Sequence, residues 1–423
     1  MNYKIFPPDG ILEAEIAMPL SKSVSNRQLI ISALTPGGST IESLAECSDT
    51  QIITEALKSA DATFDCRDAG TAMRFLTAYF AAMPGREITL TGTERMCQRP
   101  IKPLVDALRS CGADITYTGT EGFPPLHIAG QTLSAQGLKV DSTISSQFIS
   151  ALLMIAPLMS GGMKLRLEGE PVSLPYIDLT LSIMKKAGIR CERAGSEIEV
   201  DQGPYTTTTF EAEGDWSAAA FWLETEALSG GFLSLCGLQA DSAQPDRRAL
   251  EIFSQLGAII DPEPEDPQPD KIDFVGSPDV SPRLNCDLAA TPDLAPAVAV
   301  TCAMIGVPFT LTGLDSLVIK ESDRLTALAC ELQKIGAVCE RIANHTLTWD
   351  GRRMPVVERP VFDTYNDHRM AMALAPVALY IPGITLLNAE VVGKSYPAFW
   401  DHFRQAGFEI VDADQAEPEE DTE

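Results

Sequence analysis

Seven cations (Lys22, Arg27, Arg99, Lys320, Arg324, Arg369 and Lys394) stand beside hydroxyls and helix-opening residues at spacings that suit anion binding. In Pro19-Leu20-Ser21-Lys22-Ser23-Val24-Ser25-Asn26-Arg27, Lys22 lies at a helix entrance. Ser23 and Arg27 are four apart, so a helix sets hydroxyl and guanidinium on one face, where both can hold one oxyanion. In Asp68-Ala69-Gly70-Thr71-Ala72-Met73-Arg74, Gly70 lets backbone approach a ligand closely. Ser145-Ser146-Gln147 offers two hydroxyls, an amide and the N–H groups of a helix start. Thr291-Pro292-Asp293 caps a very apolar helix, and Asn366-Asp367-His368-Arg369 opens one that is otherwise uncharged. Lys320-Glu321-Ser322-Asp323-Arg324 packs four charges before another. Taken singly, each also reads as an ordinary cap or a solvated charge run.

The elements that carry these residues form an internal repeat. A Gly- or Pro-marked turn followed by an apolar strand begins at Gly37, Gly85, Gly161, Gly230, Gly306 and Pro382, at separations of 48, 76, 69, 76 and 76 residues. So regular a spacing marks a supersecondary unit. Upstream of each turn lies an apolar helix opened by Ser, Thr, Asp or Asn, the residues that cap free backbone N–H groups. Downstream comes a second amphipathic helix and another strand, with endings such as LRSCGADI and MKKAGIRC. Each unit therefore reads as helix–strand–helix–strand, three to a domain. Arg99, Ser173 with Tyr176, Lys320 and Lys394 fall in the same post-strand slot of different repeats. Equivalent ends gather in such an architecture, and helix N-termini there favour anions.

Composition sets limits. At 423 residues the chain is too long for one ordinary core, so two domains are expected. A net charge of −27 argues against a nucleic-acid binder. Seven cations converging on so acidic a body imply a multiply anionic substrate pair. The ten cysteines show no C-x-x-C pair and no zinc spacing, which fits free thiols in a reducing cytosol. The start, MNYKIFPPDG, lacks the apolar core of a signal peptide. Leu294–Leu311 and Met370–Ala389 carry no charge, but Gly306 with Pro308, and Pro382 with Gly383, break each into a helix and a strand. The acidic run from Asp412 reads as a frayed tail.

PLSKSVSNR, AGTAMR, QRPI, SSQF, KESDR, YNDHRMAM and the late Lys394 resemble, in order and along nearly the whole chain, the signature blocks of the 5-enolpyruvylshikimate-3-phosphate synthase family of enolpyruvyl transferases. The resemblance implies a two-domain α/β fold, each domain an inside-out α/β barrel of three repeats. Residues 1–19 and 215–423 would make a first, discontinuous domain and 20–214 an inserted second one, with the active site in the cleft between. It implies transfer of the enolpyruvyl group of phosphoenolpyruvate to the 5-hydroxyl of shikimate 3-phosphate, with release of phosphate, in the shikimate pathway of aromatic amino-acid biosynthesis. No metal or organic cofactor is implied, nor any nucleic-acid or membrane partner; a cytoplasmic monomer is expected. By the same resemblance, shikimate 3-phosphate contacts Lys22, Ser23, Arg27, Ser145, Ser146, Gln147, Ser173, Asp293, Ser316 and Lys320. Phosphoenolpyruvate falls to Lys22, Gly70, Arg99, Gln147, Arg324, Arg369 and Lys394, with Tyr176 and His368 close by. A base at the hydroxyl and an acid at the methylene call for two carboxylates in different environments. Asp293 is the candidate acceptor, Glu321 the candidate acid, and Lys22 assists.

The chain departs from the family pattern in places. Only ten residues separate Leu57 from Asp68, where relatives carry a further strand-bearing stretch, so the barrel of residues 20–214 is expected to close incompletely. Asp68 stands for asparagine, Phe75 for proline and Ser316 for asparagine. A related transferase that acts on a UDP-amino sugar relies on a loop cysteine, and none stands in a matching context here. A catalytically dead relative would be marked by loss of Lys22, Asp293 or Glu321, and all three are present.

Overall fold

The computed structural model describes residues 1–135, 137–264 and 266–414. The acidic run from Asp412 begins inside the last strand, Glu409–Asp412, and its residues 415–423 lie outside the described ones. The chain divides into two compact units. One, discontinuous, comprises Met1–Pro19, Gly214–Ser242 and the chain from Asp246; the other, inserted, comprises Leu20–Glu213 with Ala243–Pro245.

The third repeat shows how a complete unit is built. The strand Leu138–Asp141 leads into the helix Ser146–Ile155, then the parallel strand Met163–Glu168 and the helix Leu174–Lys186. The hairpin Cys191–Ala194 and Glu197–Val200 follows, turning at Gly195, whose φ of +61° suits a two-residue turn. Its second strand pairs antiparallel with Met163–Glu168, Val200 opposite Met163. The complete unit is thus strand–helix–strand–helix–hairpin. It holds two more strands than the helix–strand–helix–strand reading, because four-residue strands such as Asp114–Tyr117 are too short to show a period in the sequence.

Five of the six repeats have this four-stranded sheet, and the first does not. Its sheet is only Thr40–Ile41 paired with Thr209–Phe210. After the helix Ser48–Lys58, residues 59–62 run straight into Thr63–Asp65, the leading strand of the next sheet. The second repeat, by contrast, makes its hairpin after the helix Lys102–Ser110 before reaching Leu138–Asp141. The short Leu57–Asp68 spacing therefore removes one hairpin. In the discontinuous unit the chain's first strand, Tyr3–Phe6, takes a hairpin position in the last sheet, between Ile384–Leu386 and Glu409–Asp412.

Burial explains the layering. Met163–Glu168 alternates buried and exposed residues, so its sheet has one covered and one exposed face. The leading helices are buried nearly all round: Ser146–Ile155 and Ala295–Ile305 leave almost no residue exposed. Their hydroxyls turn inward onto their own backbone, Thr77 to the Met73 carbonyl at 2.6 Å and Thr301 to Ala297 at 2.8 Å, so burial leaves them satisfied. Gly306 (φ +81°) ends one uncharged stretch as a helix C-cap before the strand Phe309–Thr312. Among the described residues no helix is long and apolar enough to cross a membrane.

Candidate active site

In the inserted unit, Ser21 caps the helix Lys22–Leu34 by accepting from the Val24 N–H. Lys22 follows at once and meets Asp49 at 3.5 Å. Arg27, one turn on, is buried. Its Nε donates to Thr180 Oγ1 (2.7 Å), Nη1 to the Ser23 carbonyl (2.8 Å), and Nη2 to Ser150 Oγ and the Tyr176 carbonyl (both 3.2 Å). Phe75 and Tyr176 lie 5.4 and 5.8 Å from its guanidinium carbon. Burial pushes the guanidinium down to about 10, against an upward pull from Tyr176. The departure at Phe75 thus gives Arg27 an aromatic platform.

Gly70 opens the helix Gly70–Ala81, and Arg99 lies directly over it. A Cβ at Gly70 would stand 2.6 Å from Arg99 Nη1, so the glycine is what admits that guanidinium. Arg74 fastens the pair by donating to the Gly70 carbonyl (3.1 Å) and the Pro100 carbonyl (3.2 Å). Ser145 Oγ caps its helix by accepting from the Gln147 N–H, and Gln147 Nε2 reaches Thr71 Oγ1 at 3.2 Å, tying two helix starts together. Ser173 precedes the helix Leu174–Lys186 with φ +54°, a left-handed conformation that costs a serine about 1–2 kcal/mol.

The discontinuous unit holds the denser charge cluster. Arg324 is buried and spreads its guanidinium over three carboxylates. It reaches Asp367 Oδ2 at 2.6 Å and Oδ1 at 3.1 Å, Asp293 Oδ1 at 2.6 Å and Glu321 Oε2 at 2.8 Å. Asp293 also meets Lys320 at 3.5 Å and Arg369 at 3.3 Å. Burial alone would raise its pKa, but Arg369, Lys320 and Arg324 together hold it well below the usual carboxylate range. Lys394 lies 3.6 Å from Glu321. Just beyond Lys394, Tyr396 is buried and its hydroxyl accepts from Trp222 Nε1, which anchors that loop in the aromatic core. Asp367 caps the helix His368–Leu374 through the Arg369 N–H and accepts from Ser322 Oγ at 3.0 Å. Ser316 is buried, and its hydroxyl has no hydrogen-bond partner among the described residues.

Each unit therefore gathers its own share of the residues expected from sequence. Lys22, Ser23, Arg27, Gly70, Arg99, Ser145, Ser146, Gln147 and Ser173 belong to the inserted unit; Asp293, Ser316, Lys320, Glu321, Arg324, Arg369 and Lys394 belong to the other. Glu321 pairs directly with Arg324 and Lys394, where sequence set it between Lys320 and Arg324. Sequence reasoning missed Asp49, the partner of Lys22, and Asp246, whose buried carboxylate accepts from Ser217 Oγ at 2.5 Å. Burial pushes Asp246 up to about 6, against the pull of Arg369. Both follow the middle strand of their repeats, in the slot that holds Arg99 and Lys320 elsewhere, and that equivalence was the signal for them.

The model of the EPSP synthase (3-phosphoshikimate 1-carboxyvinyltransferase) family matches residues 8–63 and 58–403. The chain belongs to this family. A 3-phosphoshikimate 1-carboxyvinyltransferase of Bacteroides fragilis is 46% identical over 412 residues, covering 97% of this chain and 99% of that one. One from a Sulfurovum species is 36% identical over 433 residues, covering 95% and 98%. A solved EPSP synthase from Acinetobacter baumannii, 22% identical, superposes with a TM-score of 0.76 over 97% of this chain and all of its own, and shares the two-domain α/β fold.

Proposed function

We propose that the chain transfers the enolpyruvyl group of phosphoenolpyruvate to the 5-hydroxyl of shikimate 3-phosphate. The observation that carries this is the match to 3-phosphoshikimate 1-carboxyvinyltransferases along 97% of the chain, together with a set of buried cations suited to two anionic substrates. A proton is added to the methylene carbon of phosphoenolpyruvate, and the 5-hydroxyl oxygen attacks C2 as it gives up its own proton. The tetrahedral adduct then loses a proton from the new methyl group, the C2–O bond to phosphate breaks, and the double bond re-forms as an enol ether.

Arg27, Lys22, Ser23, the Ser145–Gln147 helix start, Ser173, Ser316, Asp293 and Lys320 receive shikimate 3-phosphate. Lys22, Gly70, Arg99, Gln147, Arg324, Arg369 and Lys394 receive phosphoenolpyruvate. Asp293 accepts the hydroxyl proton and Glu321 serves the methylene, with Lys22 assisting. The ten free cysteines fit a reducing cytoplasm, where the chain acts as a monomer. The chemistry makes a distinctive forecast. In deuterium oxide the methyl intermediate scrambles its hydrogens, so the vinyl position of the product acquires deuterium, detectable by proton NMR. A product with fully protonated vinyl carbon would rule out addition followed by elimination.

A further inference from the structure

Two consecutive residues that are not glycine, Tyr365 and Asn366, have φ of +52° and +54° immediately before Asp367, His368 and Arg369. Such a pair costs roughly 1–2 kcal/mol per residue and persists only where surrounding contacts impose it. Beside the local bond from the Tyr365 N–H to Asp363 Oδ1 at 2.6 Å, those contacts come from the helix Arg324–Lys334. Its first residue, Arg324, grips both oxygens of Asp367. Seven residues on, about two helical turns along the same face, Glu331 is buried and grips the other side of the turn. Its Oε1 accepts from the Tyr365 hydroxyl at 2.9 Å, and its Oε2 from the Asp363 N–H at 3.3 Å and from Lys334 Nζ at 2.6 Å. Lys334 Nζ in turn donates to the Val361 carbonyl at 2.7 Å. Burial first, then the Glu331 carboxylate, push the Tyr365 phenol up, so it stays a donor.

We propose that Glu331 is a positioning residue for enolpyruvyl transfer. Through Tyr365 and Asp363 it holds the left-handed turn that sets Asp367, and with it Arg369 and Arg324, in register for phosphoenolpyruvate. It touches no substrate itself. One rigid helix thus fixes the cluster from two points, through the cation at its start and the carboxylate two turns on. Loss of the second point lets the turn relax toward ordinary φ values and swings the Arg369 helix start away from Asp293.

The inference rests on the reaction proposed above, and the test separates the two. In Glu331→Gln, kcat/KM for phosphoenolpyruvate should fall about 10–100-fold, the scale of a misplacement near 1 Å, while calorimetric affinity for shikimate 3-phosphate alone stays unchanged. Tyr365→Phe, which removes one hydroxyl, should lose about 3–10-fold in the same parameter. Adding Asn366→Gly to Glu331→Gln supplies a residue that accepts positive φ without help and should restore part of the loss. Equal losses for both substrates with no rescue by glycine would make Glu331 merely structural and overturn the proposal, as would variants with wild-type kinetics. A wild type inert toward the two substrates would instead sink the reaction itself.

Discussion

Asp293 carries three cations on one carboxylate, and this decides how it can act as a base. Arg324 at 2.6 Å, Arg369 at 3.3 Å and Lys320 at 3.5 Å stabilise its charge so strongly that it binds a proton poorly. On the proposed reaction, phosphate and carboxylate groups arriving at Arg369 and Lys320 would share those cations and make Asp293 more basic, so that substrate binding would prepare the base. Asp293→Asn keeps the shape but removes both proton acceptor and competing anion. Its kcat should fall on the order of 10²–10⁴-fold, while equilibrium affinity for phosphoenolpyruvate stays level or tightens. Near-normal turnover in that variant would place the base elsewhere.

The helix Trp216–Ser229 shows how much an element tolerates when its neighbours bury it on every side. Glu224 and Glu226 are both fully buried, and among the described residues none of their carboxyl oxygens has a hydrogen-bond partner. Desolvation raises both groups, Glu226 to about 7 against a small lowering by Ser229. An acid raised on folding contributes its stability fully below its unfolded value near 4.5, and that contribution is lost as pH rises toward about 7. Glu226→Gln should therefore raise the thermal midpoint at pH 8, by the equivalent of about 2–3 kcal/mol, and change little at pH 4. Equal midpoint shifts at the two pH values would show that folding does not raise the Glu226 pKa. Repetition made the elements legible from sequence. The strands begun by Gly85, Gly161, Gly230 and Gly306 all formed, because a turn glycine followed by an apolar run is a local signal. The hairpins stayed hidden, since strands of three or four residues take their identity from pairing partners far along the chain. For the same reason the carboxylates Asp49 and Asp367 could not be matched to Lys22 and Arg324 before the fold brought them together. Arg27 showed its face through the four-residue spacing to Ser23, but its aromatic platform at Phe75 comes from another helix altogether.

Across the whole molecule, a net charge of −27 coexists with two buried sets of cations. On the proposed reaction, those cations are where the two anionic substrates bind on an otherwise acidic chain. The one repeat that lacks its hairpin illustrates the separation of scaffold from chemistry. Its sheet is reduced to two strands, yet Lys22 and Arg27 keep their place at the start of its leading helix. The central claim concerns a reaction between two substrates, and its most direct test is release of inorganic phosphate by the purified chain. Phosphate should appear only when phosphoenolpyruvate and shikimate 3-phosphate are both present, in one-to-one ratio with the enol ether formed. Release from phosphoenolpyruvate alone, or with a UDP-amino sugar in place of shikimate 3-phosphate, would contradict the account.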